Sequence, residues 1–235
     1  MSDAITASDS TIYRDRIAEI CQTLPANVQL IAVTKQVPVA AMRAAYAAGL
    51  RNFGESRIQE AEAKQAELRD LPDITWHLIG HLQSNKAQKA LELFQWIHSV
   101  DSLKLADRLN RLAETLPTKP QVCLQVKLLP DPNKSGWSVE ELWADLPKLA
   151  QYQHLEIQGL MTIPPLGLNE QETLAVFQRT QELAEKIRQQ GWSSLQIPQL
   201  SMGMSGDYQL AIQAGATMIR LGTILFGERG GLPLA

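Results

Sequence analysis

The sequence predicts a closed (β/α)8 barrel, on three observations. Strand-like and helix-like patterns take turns along the chain, their connections are short, and 235 residues with 45% hydrophobic side chains suffice for one core of that size. An open doubly wound sheet is the competing arrangement. A single domain over residues 1–235 is expected, because no linker, low-complexity stretch or internal repeat divides the chain.

The elements follow in order. A helix opens the chain, with Ile17, Ile20, Cys21 and Leu24 at i, i+3, i+4 and i+7 behind Ser10 as N-cap. Since the chain ends soon after its last strand, this helix can stand in for the eighth barrel helix. Residues 28–35, VQLIAVTK, form an apolar run that suits a strand covered on both faces, and Pro38 marks the change to a helical pattern over 39–50. Further strands begin near Arg51 (RNFGES), Thr75 (TWHLIG), Trp96 (WIHSVD), Gln121 (QVCLQVKL), Leu155 (LEIQGLMTI), Gln199 (QLSMG) and Met218 (MIRLGTILFG). Helical spacing fills 56–68, 85–94, 102–116, 139–152, 169–191 and 206–215. Residues 164–172, PPLGLNEQE, read as a longer loop over the mouth where the strands end.

Composition narrows the function classes. A net charge of -3 and no cluster of lysines and arginines offer no field for nucleic acid or an anionic membrane, so a small-molecule ligand is expected. The N-terminal stretch has early acids and no apolar h-region, and no run is long enough to span a bilayer, which points to a soluble, unexported, cytoplasmic protein. Cys21 and Cys123 sit far apart within helix and strand patterns and read as buried thiols of a reducing compartment.

Lys35 ends the first strand at the rim of the core. Partial desolvation there disfavours the ammonium form and makes the amine a better nucleophile toward aldehydes and ketones, which suggests a Schiff base; a lysine snorkelling to solvent is the plainer alternative. In a barrel the strand ends become neighbours, bringing Lys35, Asn52, His77, Ser201 and Arg220 to a shared pocket. LSMGMSGD at 200–207 puts Ser201, Gly203, Ser205 and Gly206 before a helix start, the chemistry of an anion cradle or of an ordinary turn. RLGT at 220–223 adds the amides of Gly222 and Thr223, in the loop pair where barrels often hold phosphate. Arg220 lies in an otherwise apolar strand and needs a partner, either an acid such as Glu55, Asp207 or Glu228 or a ligand acceptor. An aldehyde-capturing amine, a phosphate site and a cation able to face a ring nitrogen fit pyridoxal 5'-phosphate together. His77 and His81 alone lack a third metal ligand, the DPNKSG stretch at 131–136 lacks the glycine spacing of a P-loop, and the role of its Lys134 stays open.

AVTK at 32–35, RNFGESRIQE at 51–60, WHLIGHLQSNK at 76–86, IHSVDS at 97–102, GLMTI at 159–163, LSMGMSGDY at 200–208 and IRLGTILFG at 219–227 resemble the pyridoxal phosphate homeostasis protein family, itself similar to the N-terminal barrel of alanine racemase. The resemblance runs through nearly the whole chain in order. It implies that Lys35 binds the cofactor aldehyde, that Arg220 faces the pyridine nitrogen, that Ser201, Ser205, Gly222 and Thr223 hold the phosphate, and that Asn52 stands beside the ring. Members usually read NFGEN where this chain reads NFGES, so no contact of that asparagine carries over to Ser56. The resemblance implies a protein that binds, stores or delivers the cofactor, with no established turnover. Transfer to apoenzymes is expected from an accessible Lys35 amine, and a monomer from the lack of a second domain and from amphipathic helices already used to cover the barrel. An arginine at the ring nitrogen disfavours its protonation and weakens the electron sink, which argues against transamination. Two rivals remain: an amino-acid racemase with Tyr208, His77 or Lys127 as base, and a class I aldolase-like barrel with Lys35 capturing a phosphorylated sugar.

Overall fold

A computed structural model describes residues 7–131 and 133–227. Its eight strands are β1 (Gln29–Val33), β2 (Asn52–Glu55), β3 (Thr75–Leu78), β4 (Trp96–Val100), β5 (Gln121–Gln125), β6 (Glu156–Met161), β7 (Gln199–Ser201) and β8 (Met218–Leu221). All pairings are parallel and β1 pairs with both β2 and β8, with Ile31 beside Arg220, so the sheet closes into a barrel and the open alternative falls away. Each strand begins within a residue of its expected start. The reason is that strands buried on both faces need continuous apolar sequence.

The helices are α1 (Ala7–Thr23), α2 (Val39–Ala47), α3 (Ile58–Glu67), α4 (Ala87–Leu93), α5 (Leu103–Leu112), α6 (Val139–Leu149), α7 (Glu170–Arg188), α8 (Tyr208–Gln213) and α9 (Thr223–Phe226). Ser138 and Asn169 close capping boxes at α6 and α7 with Glu141 and Glu172. The sequence did not announce α9, a single turn too short to show a period.

Two expectations for α1 change. The helix already runs from Ala7, so Ser10 lies within it, and Cys21 is exposed where burial was expected. Tyr13, Ile17, Ile20 and Leu24 form the packed stripe instead, and the Tyr13 ring meets Phe226 of α9 edge-on at 5.8 Å. With α1 lying against α2 and α9, it covers the barrel side where β8 closes on β1, as expected for a substitute eighth helix.

The apolar core is split by the sheet. A large cluster fills the layer between strands and helices, and a smaller one inside the barrel contains Ile31, Trp96, Cys123, Met161 and Met218. Alternation along the strands therefore sends every second side chain inward, and several of those are polar.

Candidate functional site

At the C-terminal mouth a cavity of about 270 Å³ is lined by Lys35, Ser205, Gly206, Arg220, Gly222 and Thr223, with Val33, Ser56, Ile79, Ile163 and Met204 completing its wall. Five of the seven residues expected to hold the cofactor thus meet there. β1 ends at Val33, so Lys35 sits in the turn that follows the strand. The turn is closed by Val37 N–H donating to Thr34 O at 2.9 Å.

The anion cradle takes shape between β7 and α9. Gly203 adopts φ +94, and a Cβ there would stand 2.6 Å from Ala211 Cβ, so only glycine lets this loop fold back on α8. Ser205 Oγ accepts from the backbone N–H of Gly222 at 3.3 Å and of Ile224 at 3.4 Å. Two amides from the start of α9 therefore converge beside the cavity, the geometry that anions favour.

Asn52 and Ser201 depart from expectation, because neither lines the cavity. Asn52 is the first residue of β2, at the opposite end of the strand from the mouth, and its Oδ1 bonds to Gln29 Nε2 at 2.9 Å and His77 Nε2 at 3.0 Å. Ser201 is fully buried inside the barrel, with Oγ 2.7 Å from His98 Nδ1 and 2.6 Å from Arg220 Nη1. His98 Nε2 in turn lies 2.9 Å from His77 Nδ1.

These contacts form one directed chain. Arginine only donates, so Ser201 Oγ accepts from Arg220 and gives its own proton to His98 Nδ1; His98 Nε2–H then donates to His77 Nδ1, and His77 Nε2–H to Asn52 Oδ1. Both histidines are neutral in this assignment. Burial supports it by pushing His77 down to about 3, and burial together with the neighbouring His77 and Arg220 holds His98 well below its ordinary value. His77 also stacks on Trp96, ring centres 5.9 Å apart.

Arg220 is buried, and its partners are not the acids considered from sequence. Its Nη2 donates to Thr162 O at 3.2 Å and Nη1 to Ser201, while Glu55 pairs with Lys64 and Asp207 Oδ1 accepts from Met204 N–H. Glu228 lies outside the described residues. Burial lowers Arg220 to about 10, opposed by Cys123 and Asp207, which still leaves a cation at neutral pH. Among the described residues no carboxylate forms an ion pair with it, so its charge is available to a ligand at the cavity floor.

The remaining candidates stand elsewhere. His81 is exposed and pairs with Asp101 at 3.0 Å. Lys134 donates to the carbonyls of Ile163 and Pro164, tying the β5–α6 connection to the loop over the mouth. Lys127 lines a separate hollow beside α6 with Arg179, and Tyr208 starts α8 outside the cavity wall. His98 escaped the sequence reading although it lies in the IHSVDS motif, since strand periodicity reports only which way it points.

A family model described as the alanine racemase N-terminal domain matches residues 9–230. A pyridoxal phosphate homeostasis protein of Synechocystis sp. is 58% identical over 212 residues, 90% of this chain and 96% of that relative. Another, from Pseudomonas aeruginosa, is 46% identical over 217 residues, 91% of each. The solved structure of PipY from Synechococcus elongatus with PLP bound superposes with a TM-score of 0.88 at 57% identity, covering 92% of this chain and all of that one. Alanine racemase of Clostridium difficile shares the fold alone, with a TM-score of 0.73 at 16% identity over 96% of this chain and 58% of its own.

Proposed function

The chain belongs to the alanine racemase N-terminal domain family and, within it, to the pyridoxal phosphate homeostasis proteins, and from that premise we propose that it holds pyridoxal 5'-phosphate as a Schiff base on Lys35 and stores or delivers it. The observation that carries the reading is the meeting of Lys35, Arg220 and the Ser205–Gly222–Thr223 cradle on one cavity. The cofactor supplies an aldehyde that amines capture reversibly. Lys35 attaches through its amine, forming a C=N bond as the aldehyde oxygen leaves in water. Ser205, Gly222 and Thr223 hold the phosphate, and Arg220 faces the ring nitrogen with its fixed charge. Asn52 and Ser201 serve at one remove, through the buried chain that fixes Arg220.

Storage and delivery are favoured over turnover by what surrounds Lys35. Of the bases considered for racemisation, His77 has both ring nitrogens engaged below the cavity, and Tyr208 and Lys127 lie outside its wall. Apoenzymes that need the cofactor are the proposed recipients. A monomer suits a barrel whose exposed large hydrophobics, among the described residues, are Leu166 and Met204, and two free thiols suit a reducing cytoplasm.

Borohydride reduction of cofactor-loaded protein followed by peptide mass spectrometry tests the assignment. A pyridoxyl adduct is expected on the Lys35 peptide, and Lys35→Ala should lose both the adduct and transfer to an apoenzyme. Full delivery by that variant, or an adduct on a different lysine, would overturn it.

A further inference from the structure

We propose that Glu55, Glu60 and Lys64 are positioning residues for Lys35, clamping the turn that carries it so that its amine meets the cofactor aldehyde. The inference rests on the cofactor reading above and goes beyond the residues that touch the cavity.

The turn runs from Thr34 to Val37, with Lys35 and Gln36 at its centre. Gln36 has φ 61, a left-handed conformation that side chains other than glycine, asparagine and aspartate rarely adopt, at the third turn position where such a φ usually calls for glycine. Strained backbone persists only where its surroundings over-determine it. Here they do. Thr34 O accepts from Lys64 Nζ at 2.6 Å, Thr34 Oγ1 donates to Glu55 Oε1 at 2.6 Å, and Gln36 N–H donates to the Glu60 carboxylate. Lys64 spends its three protons on Thr34 O, Glu55 Oε1 at 2.8 Å and Glu60 Oε1 at 2.7 Å, which joins the residues before and after Lys35 through one ammonium.

Stability alone does not account for this cluster. Glu55 and Lys64 are buried, and exchanging buried ion pairs for well-packed apolar groups is often neutral or stabilising. Glu55 Oε2 lacks a hydrogen-bond partner among the described residues, so part of its burial goes uncompensated. Burial accordingly raises the Glu55 carboxyl despite Lys64 and Thr34. What the three charges accomplish together is to hold a strained turn in place, and a fixed turn presents an amine with its orientation already settled.

The test separates positioning from binding. Schiff-base formation is followed by the rise of visible absorbance on mixing with pyridoxal 5'-phosphate, and binding by titration with pyridoxine 5'-phosphate, whose alcohol cannot form the C=N bond. Glu60→Ala and Lys64→Met are expected to slow Schiff-base formation at least tenfold while leaving pyridoxine 5'-phosphate affinity within twofold. Adding Gln36→Gly to Glu60→Ala should recover most of the lost rate, because glycine takes the turn without strain. Unchanged rates in the folded variants, or equal weakening of both readouts, would overturn the proposal. Should Lys64→Met fail to fold, Glu60→Ala decides, since its side chain is 22% exposed and its loss leaves the Glu55–Lys64 pair intact. An unmodified protein that forms no adduct at Lys35 would instead refute the cofactor reading.

Discussion

Individual side chains inside the barrel determine what Arg220 can do. The chain from Arg220 through Ser201, His98 and His77 to Asn52 satisfies every buried donor in it only while both imidazoles are neutral. That has a pH consequence of definite sign. A histidine near 6.5 when unfolded and at about 3 when folded, as His77 is, contributes fully above pH 6.5, and its contribution falls as pH drops toward 3, because the unfolded chain takes up the proton first. Between pH 7.5 and 5.5 the loss for His77 is on the order of 1 kcal/mol, and His98, also held below its ordinary value, acts in the same direction. Glu55, raised from its ordinary value, works in the opposite sense and partly offsets it as it protonates. Urea unfolding at the two pH values should show lower stability at 5.5; an unchanged or higher value would refute the neutral pair. Sequence placed Ser201 and Asn52 against the cofactor because strand ends in a barrel converge. It could not show that Ser201's hydroxyl was already committed, whereas the strand start near Arg51 already put Asn52 at the end of β2 away from the mouth.

At the scale of elements, close packing of the loops at the mouth matters more than propensity. A Cβ on Gly80 would lie 2.2 Å from the backbone oxygen of Ser56, which lines the cavity, so the β3–α4 connection can pass the β2–α3 connection only with glycine at that point. Gly80→Ala should cost about 2 kcal/mol and also slow adduct formation at Lys35, since the backbone of Ser56 must move. Gly206→Ala, where the new methyl enters open space, should leave stability within about 0.5 kcal/mol. Thermal melts of both variants check the pair, and equal melting temperatures would show that the two loops can part without strain. The helices that the sequence announced were those with a sustained period, whereas α9 was too short to have one.

For the whole molecule, closure of the sheet couples the ends of the chain. β1 carries the turn with Lys35, β8 carries Arg220, and the two strands are hydrogen-bonded neighbours, so a ligand joined to both ties the seam of the barrel. Ligand at a hundredfold excess over its dissociation constant stabilises by about 2.7 kcal/mol. For a domain of this size that corresponds to a rise in melting temperature of roughly 5–10 °C. Calorimetry with and without pyridoxal 5'-phosphate measures it, and Lys35→Ala should retain only the part due to phosphate and ring contacts. A shift of the same size in that variant would mean that the covalent bond adds nothing to retention.

The sequence by itself determined the order of the elements, the placing of Lys35 at the mouth end of the first strand and the amide-rich turns before and after the last strand. Apolar periodicity and turn chemistry are local properties and can be read along the chain. Only the tertiary structure decided that His98 meets Ser201 across 103 residues, that Lys64 rather than Arg220 is the partner of Glu55, and that Cys21 faces water. Such meetings depend on the register between neighbouring strands and on which helix face finds a partner, and both are fixed by long-range closure of the barrel.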